Sequence, residues 1–197
     1  MLTDETKARN RDTYIRLLEM IGLNTPEFLD YLNSINYFEA PATAQYTGAY
    51  AGGLCEYALK LAHELGVLCN AYFPGKYLAE DVLKVALLKD IYRSCMYVPY
   101  RKNVKNEETG QWETVAAYKT TEDRPVYGDL GFSSFMVLRN YVHFTDEQLE
   151  AIIHSTGLNT YSVDIHEVLK KYKLVALTRM ADSVVTNFRY EEQTDDD

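Results

Sequence analysis

Tryptophan occurs once in these 197 residues, cysteine three times, histidine four times and proline five times. The cysteines, Cys55, Cys69 and Cys95, are odd in number and far apart, and no CxxC occurs. Each sits in an apolar, helical-looking stretch, which argues against a disulfide framework or thiolate zinc site and for small buried residues in a reducing compartment. No two of His63, His143, His154 and His166 stand at metal-ligand spacing. No apolar run approaches the roughly eighteen residues a bilayer span needs. The start, "MLTDETKARNRD", is polar and unlike a signal peptide. The expectation is a soluble cytoplasmic protein without a membrane partner, in the host cytoplasm if phage-encoded. Positive charge is scarce as well. Twenty basic against 29 acidic residues leave a formal charge of −9, which speaks against general nucleic-acid binding.

What is abundant is apolar and tyrosine. At 47% hydrophobic content the chain can bury a real core. No repeat, linker or composition break divides it, so residues 1–190 are expected to form one domain. The remainder, "EEQTDDD" (191–197), is expected to be a solvated, disordered acidic tail. Seventeen tyrosines supply rings with a polar tip, suited to core edges, interfaces and stacking pockets.

Hydrophobic spacing predicts a mostly α fold. "TYIRLLEMIG" (13–22) reads as an amphipathic helix ending at Gly22, and Pro26 opens a short second one. "FEAPATAQYTGAYAGG" (38–53) is a small-residue loop, followed by a long helix with Leu54, Ala58, Leu61, Leu65 and Leu68 on one stripe. Residues 78–96 read as one helix with Lys89 on its apolar face. Residues 97–119 break the period around "NEETG", which predicts a β-hairpin insertion. Helices resume at 133–142 and at 145–155, where Thr145 and Gln148 make a capping box. A single long helix over 165–188 carries Val168, Tyr172, Val175, Arg179 and Asp182 on one stripe.

Five segments carry more than periodicity. They are "FEAPATAQYTGAYAGGLCEYALKL" (38–61), "ALLKDIYR" (86–93), "YRKNVKNEETGQWE" (100–113), "VYGDLGFSS" (126–134) with "AIIHSTG" (151–157), and "LVALTRMADSV" (174–184). In this order and spacing, over roughly residues 38–188, they resemble the HD-domain metal-dependent phosphohydrolases, in the form common in Gram-positive bacteria and their phages. The resemblance implies an HD-domain-like helical bundle. It also implies a centre in which histidines and aspartates on neighbouring helices hold divalent ions that activate water.

Most of those ligands are replaced. The family's histidine positions correspond to Thr47, Tyr57, Lys89, Asp129 and Ser155, with His154 adjacent to the last; Asp90 and Asp182 are retained. An ammonium has no lone pair and repels a cation, so Lys89 cannot serve as a metal ligand. Lys89, Arg93 and Arg179 are the cations available to neutralise Asp90 and Asp182, which burial would otherwise force to protonate. No metal, cofactor or catalytic residue is therefore expected. The resemblance then implies a non-hydrolysing pocket for a nucleotide-derived small molecule. Tyr46, Tyr50, Tyr57, Tyr97 and Phe132 would stack, Lys89, Arg93, Arg101 and Arg179 would meet phosphate, and Thr47, Asp90, Asp129, His154, Ser155 and Asp182 would line the rest. Phage-borne relatives imply a concrete role: a homo-oligomeric sponge for a bacterial immune second messenger, of cyclic oligonucleotide or cyclic ADP-ribose type. Two alternatives stand beside it. One is a phosphohydrolase with a carboxylate-only site made of Asp90, Asp129 and Asp182. The other is a protein-interaction module with a filled pocket.

Overall fold

The computed structural model describes residues 2–107, 109–155 and 164–190; the acidic segment 191–197 lies outside them. The described residues form a mostly helical fold with one two-stranded antiparallel hairpin, as the spacing predicts.

Helix α1 runs Asp4–Met20, nine residues longer at its start than the apolar stripe indicates. Its first turns have no apolar face and are held by local polar chemistry. The Thr3 side chain accepts from the Thr6 N–H, and Asp4 and Glu5 complement the positive helix end. Helix α2, Pro26–Ser34, starts as expected, with Thr25 as cap and proline in the first turn. A 3-10 turn at Tyr37–Glu39 leads into the small-residue loop, and α3 follows at Gly53–Tyr72. Glycine is required where loop and helix meet, because a Cβ on Gly53 would lie 2.1 Å from the Gly48 carbonyl oxygen.

Helix α4 covers only Ala79–Leu88, and the chain then tightens into a 3-10 turn at Ile91–Cys95. The single helix expected over 78–96 therefore breaks at Lys89–Asp90. Asp90 leaves helical geometry at φ −110°, ψ 14°, and this turn swings both charged side chains inward. Strands β1 (Tyr97–Lys105) and β2 (Trp112–Thr120) pair from Tyr97↔Thr120 to Lys105↔Trp112. Helix α5, Leu130–Leu138, begins three residues earlier than expected because Asp129 caps it. Helix α6, Asp146–Ile153, has the Thr145–Gln148 capping box. The expected final helix is two, α7 (Ile165–Lys171) and α8 (Lys173–Phe188), separated by one extended residue, Tyr172, at φ −113°, ψ 98°. Periodicity does not register one such residue, so the stripe from Val168 to Asp182 is shared between two helices.

α3 is the central post, packed by α4 and α8, while α6 rests on α8 and on α5. One apolar core takes residues from every described helix, among them Tyr14, Phe28, Leu61, Leu88, Leu138, Ala151, Val168 and Val185. Leu54, Leu61 and Leu65 of α3 are fully enclosed, each contributing roughly 1.5–3 kcal/mol by leaving water. No described helix is long and apolar enough to cross a membrane.

Candidate functional site

Lys89 follows the apolar end of α4, so its backbone places it inside the core. The end of that helix is pinned by two buried tyrosines. The Tyr14 and Tyr37 hydroxyls both donate to the Leu87 carbonyl, at 2.8 and 3.4 Å. The Lys89 side chain is 0% exposed. Its ammonium donates to Asp90 Oδ2 at 2.6 Å and to Asp182 Oδ1, on α8, at 3.0 Å. The Tyr57 hydroxyl of α3 donates to the same Asp182 oxygen, and the Lys89 Nζ lies 5.4 Å from the Tyr57 ring centre. From the 3-10 turn, Arg93 places its Nε 3.3 Å from Asp90 Oδ1, while its terminal nitrogen donates to the Ala42 carbonyl at 2.7 Å. Five side chains from α3, the α4 end, the 3-10 turn and α8 thus form one network with two positive and two negative charges.

The electrostatics follow from burial and balance. Burial by itself would raise the Asp90 carboxyl, but the charges of Lys89 and Arg93 outweigh it and hold it below the ordinary carboxylate value. Burial works against the Arg93 guanidinium too, yet the Asp90 charge keeps it firmly protonated. Burial first, then the neighbouring Asp90 and Asp182 charges, push the Tyr57 hydroxyl well above its usual range, so it stays a donor. One part is unmet: Asp90 Oδ1 and Arg93 Nε attract as charges but lie off the hydrogen-bond direction, and both are buried without a hydrogen-bond partner. Lys89 and Arg93 do neutralise Asp90, from a helix end and a 3-10 turn.

The other expected site residues lie on several elements and have other partners. Thr47 reaches the Thr186 carbonyl of α8 at 3.4 Å, and Tyr50 donates to Glu56 one turn into α3. Tyr46 is 82% exposed. Tyr97, at the base of β1, is half-buried beside Arg93, and Arg101 is exposed further along the strand. Arg179 is half-buried on α8, one turn before Asp182. Asp129 is exposed, and its carboxylate accepts from the Phe132 N–H at 2.9 Å as the cap of α5. Phe132 projects from that first turn. His154 ends α6, buried, with Nε2 3.0 Å from Glu150 and Nδ1 without a partner; the Ser155 hydroxyl donates to the Ile152 carbonyl at 3.2 Å. Asp129 thus serves as a helix cap. Among the described residues, no three His, Cys, Asp or Glu side chains are grouped as metal ligands would be.

Sequence reasoning does not reach several partners. The Ala42 carbonyl leaves no side-chain signal. A second polar cluster joins α3 to the end of α8: Arg189 donates to buried Glu64 at 2.8 Å, and Lys60 bonds Glu56 and the Arg189 carbonyl while lying 3.7 Å from the Tyr190 ring centre. The i,i+4 spacing of Glu56 and Lys60 and an acid within an apolar helix are the signals for it. Cavities among the described residues lie elsewhere. One of about 490 Å³ is lined by Lys7, Arg11, Asn33, Asn36, Phe38 and Glu39, and an apolar groove of about 340 Å³ by Leu17, Met20, Gly66, Phe73, Tyr77 and Val82.

No family model matches this chain, and neither does any curated protein or solved structure.

Proposed function

We propose that this chain is a degenerate, non-hydrolysing HD-like protein that retains a nucleotide-derived ligand without cleaving it. One observation carries the non-hydrolysing part: the ammonium of Lys89 lies between Asp90 and Asp182 with hydrogen bonds to both. A divalent ion entering there would face a fixed positive charge and two carboxylates already neutralised, with no imidazole to add. Because Lys89 is enclosed, its role is to close the centre rather than to touch phosphate.

Recognition then falls to side chains outside the closed centre, exposed Tyr46 and Arg101 and half-buried Tyr97. Tyr46 and Tyr97 offer aromatic faces, and Arg101 offers a guanidinium for phosphate oxygens. The resemblance to phage-borne relatives supports a sponge for a cyclic oligonucleotide or cyclic ADP-ribose type messenger. The complete burial of Lys89 favours a second reading, an interaction scaffold whose old pocket is filled.

A release experiment separates the readings. The protein is incubated with a pool of nucleotide second messengers, washed and denatured, and the released material is identified by mass spectrometry. An intact nucleotide recovered in proportion to protein is expected, with Tyr46→Ala and Arg101→Ala each reducing recovery while leaving Tm unchanged. Cleaved products would overturn the non-hydrolysing assignment. Recovery of nothing would leave the scaffold.

A further inference from the structure

The hairpin is the least supported part of the fold. An isolated two-stranded hairpin is marginal in water, yet here both strands run nine residues and most positions, 112–116 included, are exposed. Trp112 is 72% exposed. No third strand pairs with either edge among the described residues, so each presents a row of unused backbone groups.

The two edges differ in a way that matters. β1 carries Arg101, Lys102 and Lys105, and Pro99 removes a donor; both features discourage pairing with another chain. β2 reads Trp-Glu-Thr-Val-Ala-Ala-Tyr-Lys-Thr, a strand of good β-formers without proline. Its only charges are Glu113 and Lys119, of opposite sign and three positions either side of Ala116. The Asn106 N–H bonds the Gln111 carbonyl at 2.8 Å and the Thr121 N–H bonds the Met96 carbonyl at 2.9 Å. With the alternation of an antiparallel ladder, these bonds turn the backbone groups of Thr114, Ala116 and Tyr118 outward.

We propose that β2 pairs with β2 of a second copy of this chain about a two-fold axis through Ala116, making one four-stranded antiparallel sheet. In that register Glu113 of each copy stands opposite Lys119 of the other. The pairs Val104↔Glu113 and Val98↔Lys119 put both charges on one face of the hairpin, so the two ion pairs form on that face. Outward-facing residues meet outward-facing residues, as a continuous ladder demands, and the exposed hairpin gains the strands it lacks. The proposal rests on the hairpin alone and is independent of what the Lys89 centre does.

Light scattering after size exclusion, on the full chain at micromolar concentration, tests it. The wild type is expected at twice the chain mass. Glu113→Lys and Lys119→Glu alone each place like charges opposite one another twice and should weaken the dimer about tenfold or more. The double variant Glu113→Lys/Lys119→Glu restores opposite pairs and should restore the dimer. Ala116→Pro removes an outward N–H that β1 does not use, so it should give a monomer with an unchanged circular dichroism spectrum. A wild type of single-chain mass overturns the proposal. So does a dimer indifferent to the single reversals, or a double variant that stays monomeric.

Discussion

An ammonium sealed inside a protein is tolerated only when its partners are in place. Lys89 has them in Asp90 and Asp182, and each carboxylate has a further donor or cation, Tyr57 or Arg93. Replacing Lys89 with methionine keeps the bulk and removes the charge, leaving two crowded carboxylates without their shared counter-ion. A loss of about 3–5 kcal/mol in denaturant unfolding is expected. Adding Asp182→Asn to that variant should recover much of the loss, because Asp90 keeps Arg93 as its counter-ion and no carboxylate is then left without one. A loss under about 1 kcal/mol for the single change would mean the network is not the anchor its geometry indicates.

At the scale of elements, two helical glycines make opposite predictions. Gly131 opens α5 against the end of α6, and a Cβ there would lie 2.4 Å from the Ile152 and Ile153 carbonyl oxygens. Those atoms are backbone and cannot turn aside, so Gly131→Ala should cost about 2–4 kcal/mol. Gly66, within α3, has only Val82 Cγ1 near its added Cβ, at 3.9 Å. Gly66→Ala should stabilise the protein by about 0.5–1 kcal/mol, the advantage of alanine inside a helix. Comparing the Tm values of both variants with the wild type checks the pair. Element boundaries divided along similar lines. The α6 cap was legible from Thr145 and Gln148, because that signal is local. The ends of α4 and α7 were not, because a 3-10 turn and one extended residue leave the apolar period intact.

For the whole molecule, the Lys89 network ties α3, the α4 end, the 3-10 turn and α8 together, so its titration is felt globally. Asp90 is held below its ordinary value, mainly by Lys89 and Arg93 acting against burial. Its contribution is therefore full above the unfolded carboxyl value, about 3.9, and is lost as pH falls through the lower folded value. Urea midpoints at neutral pH and near pH 3 should show a steep acid loss in the wild type. Asp90→Asn should be weaker at neutral pH and fall less steeply. An equally steep fall in the variant would assign the acid limb to other carboxylates.

The sequence by itself determined that this chain is mostly helical, that a hairpin interrupts it near residue 97, and that Lys89 and Arg93 are cations available to carboxylates set among apolar neighbours. These follow from periodicity, turn chemistry and the cost of burying charge, all of which act over a few residues. Only the tertiary structure decided how the cations divide between Asp90 and Asp182. It set Asp182 and Tyr57 against Lys89 and gave Arg93 the Ala42 carbonyl. Those pairings join residues as far apart as Tyr57 and Asp182. They depend on how α4 ends and how α8 packs on α3, and no local pattern of residues encodes either.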